Sequence, residues 1–469
     1  MPFPSVRPSP RADRPGREVR RLERALLCYS GFEDFVLLYP VYALLFAEHG
    51  LSTAEISVLF GIWSLTGVLL EVPSGVWADL VSRRSLLVAG PLLSAAGFGL
   101  WVTLPSFPAF AAGFVLWGAG GALRSGALEA LVYEELERHG AGSRYPRLMG
   151  RAGAVGTAAT VTASGLAAPV LALAGYPGLG AASVAACLLC AFAATRFPEH
   201  RQAPPDRAPT GRAPAGRAPE PPATDLAGSA RGYLHTLRDG LAEVHRSSTV
   251  RNALLLAVAV TTVWGALDEY VPLLAAEAGA TTAEVPLLSL LVWAGVTAGG
   301  LLAGRAGRLS GRSLGAAVAV ASGALAAGAL WGIPGGFVLL GLAFAVFQAA
   351  DVVTDARLQE AVTGPSRATV TSLGGLGTSL TTLLVYTAYG AASGHTSHAT
   401  LFALSAVPYL VIAAATARRR GLGAPGGTRP GAGTGANTGA NKDAGARAGA
   451  VPEPGRPVPD SEPVAPSEV

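Results

Sequence analysis

The chain has 469 residues, of which 50% belong to the set AVILMFWYC and 14% are charged. A soluble domain carries roughly 25% charged residues, so this chain has too few to cover a water-facing surface, and its mean hydropathy is +0.41. The same apolar content excludes a chain disordered throughout, which leaves a large integral membrane protein.

Cys28, Cys187 and Cys190 all lie in apolar runs. A disulfide framework is therefore not expected, and the Cys187–Cys190 spacing reads as two small core residues rather than metal ligands. Of the 35 Lys and Arg residues the single lysine is Lys442, with no GxxxxGK[ST] around it. No P-loop and no ATP hydrolysis are expected. The seven histidines, at 49, 139, 200, 235, 245, 395 and 398, fall in connections; only His395 and His398 are close together, on the outer side with no acid beside them. Neither an enzyme site nor a cofactor is predicted.

In chain order, residues 1–24 form a basic segment (Arg7 to Arg24) ahead of the first apolar run. That run is too long for a signal peptide and no small-residue cleavage site follows, so it reads as retained. A bilayer crossing needs about 20 apolar residues. Twelve such runs are predicted: 25–47, 54–78, 85–104, 108–133, 149–174 and 178–197, then 252–275, 285–304, 313–332, 336–356, 368–391 and 398–417. The predicted organisation is a six-helix bundle over 25–197, a linker over 198–251, a second bundle over 252–417, and a disordered tail over 418–469. Within the linker, Gly-Arg-Ala-Pro repeats between 211 and 219 suit an extended chain. Leu234, Leu237, Leu241 and Val244, interleaved with Arg231, His235, Arg238 and Arg246, suit a helix at the membrane surface or an ordinary helical linker. Six spans, a long connection and six more is the layout of a duplicated transporter with its path between the halves.

Charge placement is independent of that division. None of the 35 Lys and Arg residues falls in the outer connections 48–54, 105–107, 175–177, 276–284, 333–335 or 392–397. Arg83, Arg84, Arg138, Arg144, Arg147, Arg305, Arg308, Arg312 and Arg367 all fall in the inner ones. By the positive-inside rule both termini are cytoplasmic, and a cell-membrane location is expected.

Between the second and third spans the sequence runs Gly75-Val76-Trp77-Ala78-Asp79-Leu80-Val81-Ser82-Arg83-Arg84-Ser85-Leu86-Leu87. This resembles the signature loop of the major facilitator superfamily, G-x-L-A-D-R-x-G-R-R/K-x-x-L. Gly75, Ala78, Asp79, Arg83, Arg84 and Leu87 match it, whereas Trp77, Leu80 and Ser82 depart from it. The preceding Glu71-Val72-Pro73-Ser74 extends the match to E-x-P-S-G-x-x-A-D, similar to a bacterial subset of that family. The resemblance implies an all-α membrane protein of twelve helices in two pseudo-symmetric six-helix bundles. It also implies a latch formed by Gly75, Ala78, Asp79, Arg83 and Arg84, with span 11 as its neighbour near Arg367. Asp79 and Arg83, four apart, share a face if the turn is helical. Gly300 to Arg308 is a degraded copy, with Gly304 in place of the aspartate. The GPxxGG turn of efflux antiporters is missing from span 5, where Gly165 to Pro169 reads GLAAP.

Ionisable residues at membrane depth cost at least ~2.5–3.5 kcal/mol on insertion scales, so each marks a function, a cavity or a partner. The candidates for proton coupling or buried ion pairs are Glu33, Asp34, Glu71, Arg124, Glu129, Asp268, Glu269, Asp351 and Asp355. Ser125, Glu129 and Tyr133 recur every four residues, which predicts one shared face in a continuous span 4. Arg124 needs a carboxylate from another helix, such as Glu33, Asp34 or Glu71. Gln348, Asp351, Asp355 and Gln359 predict a polar stripe on span 10, with Arg357 beside it. Asp268 and Glu269 are adjacent, and adjacent acids resist ionising together when buried, which suits a proton carrier. Tyr39, Tyr42, Trp63, Trp293, Phe344, Phe347 and Tyr386 either line a pocket or pack.

The expected function is a secondary active transporter working by alternating access, most simply proton-coupled efflux of a small organic molecule. Import of a nutrient, or a non-transporting receptor with the same fold, are the alternatives. The expected partners are the lipid bilayer, a small-molecule substrate and protons, with no nucleic acid. Asp79→Asn should collapse transport while leaving surface expression intact; normal transport by that variant, measured in cells with expression quantified in parallel, would remove the latch.

Overall fold

Hydrocarbon offers no water to a free backbone N–H or C=O, so an apolar run crosses a bilayer as a helix that satisfies its own backbone. The computed structural model describes residues 16–200, 238, 241, 244–332, 335–362 and 367–418, and it is helical with no strand among them. The side chains of Val72, Gly75, Val76, Ala78, Asp79, Leu80, Arg367, Ala368 and Arg418 also lie outside the described set. The predicted N-terminal segment up to 15, the Gly-Arg-Ala-Pro repeats and the tail beyond 418 are therefore outside it.

The first half contains α1 (Arg17–Glu33), α2 (Tyr42–Glu48), α3 (Thr53–Leu80), α4 (Arg83–Thr103), α5 (Phe107–Arg124), α6 (Ala127–Arg138) and α7 (Tyr145–Ala194). The second half contains α8 (Ser248–Asp268), α9 (Val271–Glu277), α10 (Val285–Ala306), α11 (Gly311–Trp331), α12 (Gly335–Ala361), α13 (Arg367–Ser393), α14 (His398–Leu404) and α15 (Ala406–Arg418). Among the described residues, eight helical segments are long and apolar enough to cross a membrane. Short polar caps start several of them. Ser52 accepts from the Glu55 N–H while the Glu55 carboxylate accepts from the Ser52 N–H at 2.8 Å, a capping box at the head of α3. Ser82, Ser247, Ser310 and Ser397 cap the following helices in the same one-sided way.

Four expectations need correction, the first being span 7, which breaks between the end of α8 at Asp268 and the start of α9 at Val271. Span 1 is not one helix: α1 starts at Arg17, ends at Glu33, and the chain becomes helical again only at Tyr42. Pro40 lies in that gap and cannot donate a backbone hydrogen bond. Span 4 is also broken, because Gly126 takes φ +75°, and Ser125, Glu129 and Tyr133 consequently share no continuous helical face. The signature loop is not helical throughout either. Val81 is extended (φ −101°, ψ 160°) and Ser82 caps α4, which removes the four-residue relation between Asp79 and Arg83. Spans 5 and 6, by contrast, divide within α7 where predicted, at Gly175 (φ +61°, ψ −165°). In the linker, Val244 packs against the Val250, Leu254, Leu358 and Val370 cluster of the second half.

The outside of the bundle is apolar. Leu173, Leu301, Val320, Trp331, Leu384 and Val411 are each at least 66% exposed, as expected of side chains facing lipid rather than water. Small residues let helix axes approach inside. A β-carbon on Gly295 of α10 would fall on the Gly341 carbonyl of α12, one on Gly299 on the Ala345 carbonyl, and one on Gly120 of α5 on the Gly90 carbonyl of α4.

The core is shared by the two halves at only one end. One apolar cluster joins Val41, Phe46, Phe60 and Phe114 of the first half to Tyr270, Leu274, Tyr386 and Phe402 of the second. Towards the end bearing Arg83 and Arg84 the core splits: Leu22, Leu87, Leu131, Leu148 and Phe197 form one cluster, and Val250, Leu254, Leu358 and Val370 another. The cross-half hydrogen bonds between described residues follow the same rule. Ser57 to the Tyr270 hydroxyl (2.8 Å), Thr53 to His398 (3.4 Å) and Thr282 to Glu48 (3.5 Å) all lie at the end opposite the arginines.

Gly295→Val should destabilise the second half by about 1–3 kcal/mol through overpacking against α12, read as a lower unfolding midpoint in detergent, while Gly300→Val, where a β-carbon meets open space, should leave it unchanged.

Candidate functional site

Where the shared core ends, the two halves enclose a cavity of about 510 Å³. Its walls come from α1, α3, α4, α5 and α7 of the first half, and from Thr378, Ser379, Thr382 and Tyr386 on α13 of the second. Three features of its lining are chemical rather than apolar.

The first is an ion pair at two helix ends. Glu33 is the last residue of α1 and Arg124 the last of α5, and Arg124 Nε stands 2.5 Å from Glu33 Oε1. Both helices stop where the cavity opens, so the guanidinium reaches its partner from a neighbouring helix. A guanidinium at this depth needs such a partner, since removing one member of a partly buried pair leaves the other uncompensated. Asp34 follows directly. Its backbone carbonyl accepts from the Thr160 hydroxyl (3.5 Å), and Gly156 leaves room for its carboxylate, on which a β-carbon there would fall.

The second is an aromatic wall. Tyr39, Trp117 and Trp63 stack in sequence, with ring centroids 5.4 Å and 4.9 Å apart. The third is a hydroxyl that meets no partner among the described residues: Tyr29 is fully buried, and it lines the same cavity. Cys187 and Cys190 also line it, as buried free thiols.

A second chamber of about 290 Å³ lies behind the aromatic wall and shares Tyr39 and Trp117 with the first. Asp268 and Glu269 enter it at the end of α8, where the chain breaks before Pro272 opens α9. The Trp293 indole N–H donates to both Asp268 oxygens, at 2.8 and 3.0 Å. The opening helix of each half thus breaks at a pair of adjacent acids, Glu33-Asp34 in one and Asp268-Glu269 in the other. The backbone freed by the first break is taken up by other helices, as in the Leu38 N–H donating to Ser183 Oγ at 3.2 Å.

A third cavity, about 370 Å³, is lined by Thr261, Asp351, Asp355 and Thr371, and meets the first at Thr378. The Thr261 hydroxyl donates to the Asp351 carboxylate.

The remaining sequence candidates are dispersed. Glu71 is exposed and lines the large cavity, whereas Glu129, on α6, is exposed and outside its lining. Tyr42 and Trp293 line the second chamber, while Phe344 and Phe347 are fully buried in the core. In the signature loop, Gly75, Ala78 and Asp79 have side chains outside the described set. Arg83 pairs with Glu134 at 2.5 Å, and the Arg84 N–H donates to Glu199 at 3.4 Å, an acid that also accepts from Ser82. Beside them Glu135, buried to 4% exposure, accepts from the His200 backbone N–H at 2.8 Å. Glu134, Glu135, Glu199, His200 and Tyr29 escaped the sequence analysis. The adjacent acids at 134 and 135 in an arginine-rich neighbourhood were a usable signal; Glu199 and His200 were hidden by placing the linker's start at 198. No group of three metal-ligating side chains occurs among the described residues.

Comparison with known proteins follows this geometry. No curated protein matches the sequence. Solved structures match over most of the fold at low identity: a mutant of the nucleoside transporter NupG (14% identity, TM-score 0.65, 84% of this chain and 98% of that one) and a D-xylose–proton symporter (14%, TM-score 0.58, 85% and 97%). A bacterial homologue of the human lysosomal transporter Spinster, in an inward-facing and occupied conformation, matches likewise (16%, TM-score 0.57, 87% and 97%). The model of the family described as the Major Facilitator Superfamily matches residues 27–354. With that match over most of its length, the chain belongs to the major facilitator superfamily.

Proposed function

We propose that this protein is a proton-coupled secondary transporter that exports a small organic molecule across the cell membrane by alternating access. The observation that carries the proposal is the placement of the Glu33–Arg124 pair in a cavity walled by both halves, whose cross-half contacts cluster at one end. That arrangement is one of the two end states such a mechanism needs. Closing the open end and parting the Ser57–Tyr270 and Glu48–Thr282 contacts would give the other.

The bias of arginines towards the open end makes that end cytoplasmic, with both termini on the same side. In this orientation the cavity loads from the cytoplasm, which suits export. Glu33 supplies coupling. Ionised, it neutralises Arg124 and keeps α1 and α5 joined; protonated, it releases the guanidinium, and the two helix ends are free to separate. Asp34 and Glu71 add carboxylates along the same wall. The signature-loop residues Gly75, Ala78, Asp79, Arg83 and Arg84 act as the latch at the cytoplasmic end. Arg83 and Arg84 also hold α4 to α6 and to the segment after α7, through Glu134 and Glu199.

The test is substrate-dependent proton flux in proteoliposomes holding the full chain, screened over a library of small organic molecules. A responding compound whose proton flux falls at least tenfold in Glu33→Gln, with the protein still inserted, supports the proposal. Absence of any response across the library overturns it in favour of a receptor. Undiminished proton flux in Glu33→Gln moves the coupling elsewhere.

A further inference from the structure

The described residues that line the second chamber include two carboxylates and no basic side chain. None of the ion pairs among described residues involves Asp268 or Glu269. Asp268 at least receives the Trp293 N–H, but Glu269 has no hydrogen bond from any described residue. Here the chamber differs from the large cavity, where Arg124 answers Glu33. A carboxylate in an apolar enclosure stays ionised only where something positive or a donor joins it. The same chamber is lined by a second unmet group: Ser289, 2% exposed, has a buried Oγ with no hydrogen-bond partner among the described residues.

The other walls are rings. Tyr39, Tyr42 and Trp117 close the chamber from the first half, with Tyr42 and Trp117 set edge to face at 6.1 Å. Ring faces attract a cation brought within about 6 Å of them. A volume of about 290 Å³ greatly exceeds that of a bare monovalent ion, and the walls offer it two carboxylates and a few hydroxyls rather than a closed oxygen shell. An anion would meet two like charges with no basic side chain to offset them.

We propose that the Asp268–Glu269 chamber is a binding site for a small organic ammonium ion. Its N–H groups donate to the Glu269 carboxylate and the Ser289 hydroxyl, and its apolar body lies against Tyr39, Tyr42 and Trp117. The assignment rests on the reading of the two halves as a transport path, because the aromatic wall shared with the large cavity makes the chamber its continuation. It names an amine as the substrate class. Binding at equilibrium does not require transport, so the site and the transport cycle are tested separately.

The experiment is equilibrium dialysis of radiolabelled benzylamine, protonated at neutral pH, against the detergent-solubilised full chain. Benzyl alcohol and benzoate serve as neutral and anionic competitors of the same shape. Saturable binding of one benzylamine per chain is expected, with neither competitor displacing it. Glu269→Gln should weaken it at least tenfold and Ser289→Ala severalfold. Glu284→Gln, in the exposed turn before α10, should leave it unchanged. Thermal unfolding of each variant reports whether it has folded. Absence of saturable binding to the wild-type chain, unchanged affinity in a folded Glu269→Gln, or displacement by benzyl alcohol at equal strength would each overturn the site. Should Glu269→Gln fail to fold, unchanged affinity in Ser289→Ala overturns it instead. Proton flux with some other compound, together with no benzylamine binding, would leave the transporter reading standing and remove only the amine site.

Discussion

A charge inside hydrocarbon must find a partner or a wet cavity, and the architecture of this protein is organised around meeting that condition where helices stop. A continuous helix satisfies its backbone but projects its side chains into packed neighbours. A broken one opens space, and here three breaks coincide with ionisable residues: Glu33-Asp34 at the end of α1, Arg124 at the end of α5, and Asp268-Glu269 at the end of α8. The freed backbone is then satisfied from other helices, as Ser183 does for Leu38. Such irregular backbone is tolerable at membrane depth because it is enclosed by protein or lines a cavity.

The two acidic breaks occupy the same place in each half, the end of its opening helix, but differ in their electrostatics. In the first half a guanidinium answers the carboxylate. In the second, an indole N–H answers one acid and nothing described answers the other. Tyr39 and Trp117 stand between the two, contributing one side to each chamber. Stacking of Trp117 on Tyr39 and on Trp63 holds that shared wall in place.

The ends of the molecule divide the work differently. At the end away from the arginines, large aromatic residues form one core across both halves, with Tyr270 stacked on Tyr389 at 3.7 Å and packed edge-on to Phe60. At the arginine end the halves keep separate cores, and polar contacts tie elements within the first half: Glu23 to Arg144, Arg83 to Glu134, Glu135 to His200. The exposed Arg83–Glu134 pair contributes little by itself, whereas Glu135 is buried and holds the backbone of the segment after α7.

The amino-acid sequence alone determined the helical membrane class, because run length and hydropathy are local quantities, and it determined the family resemblance through a stretch of contiguous residues. It also singled out the buried charges, since a lone charge in an apolar run stands out without any three-dimensional information. The breaks in spans 1 and 4 were not legible: a carboxylate and a proline do not by themselves mark one, since α3 runs unbroken through Glu71 and Pro73, and the conformation at Gly126 depends on what packs around it. The partner of Arg124 lies 91 positions away, among three carboxylates that the sequence could not rank, and only helix packing brings Glu33 rather than Asp34 or Glu71 to its Nε. The unpartnered Tyr29 and Ser289 hydroxyls are visible only in the tertiary structure, for an unmet hydrogen bond is a property of surroundings rather than of a residue.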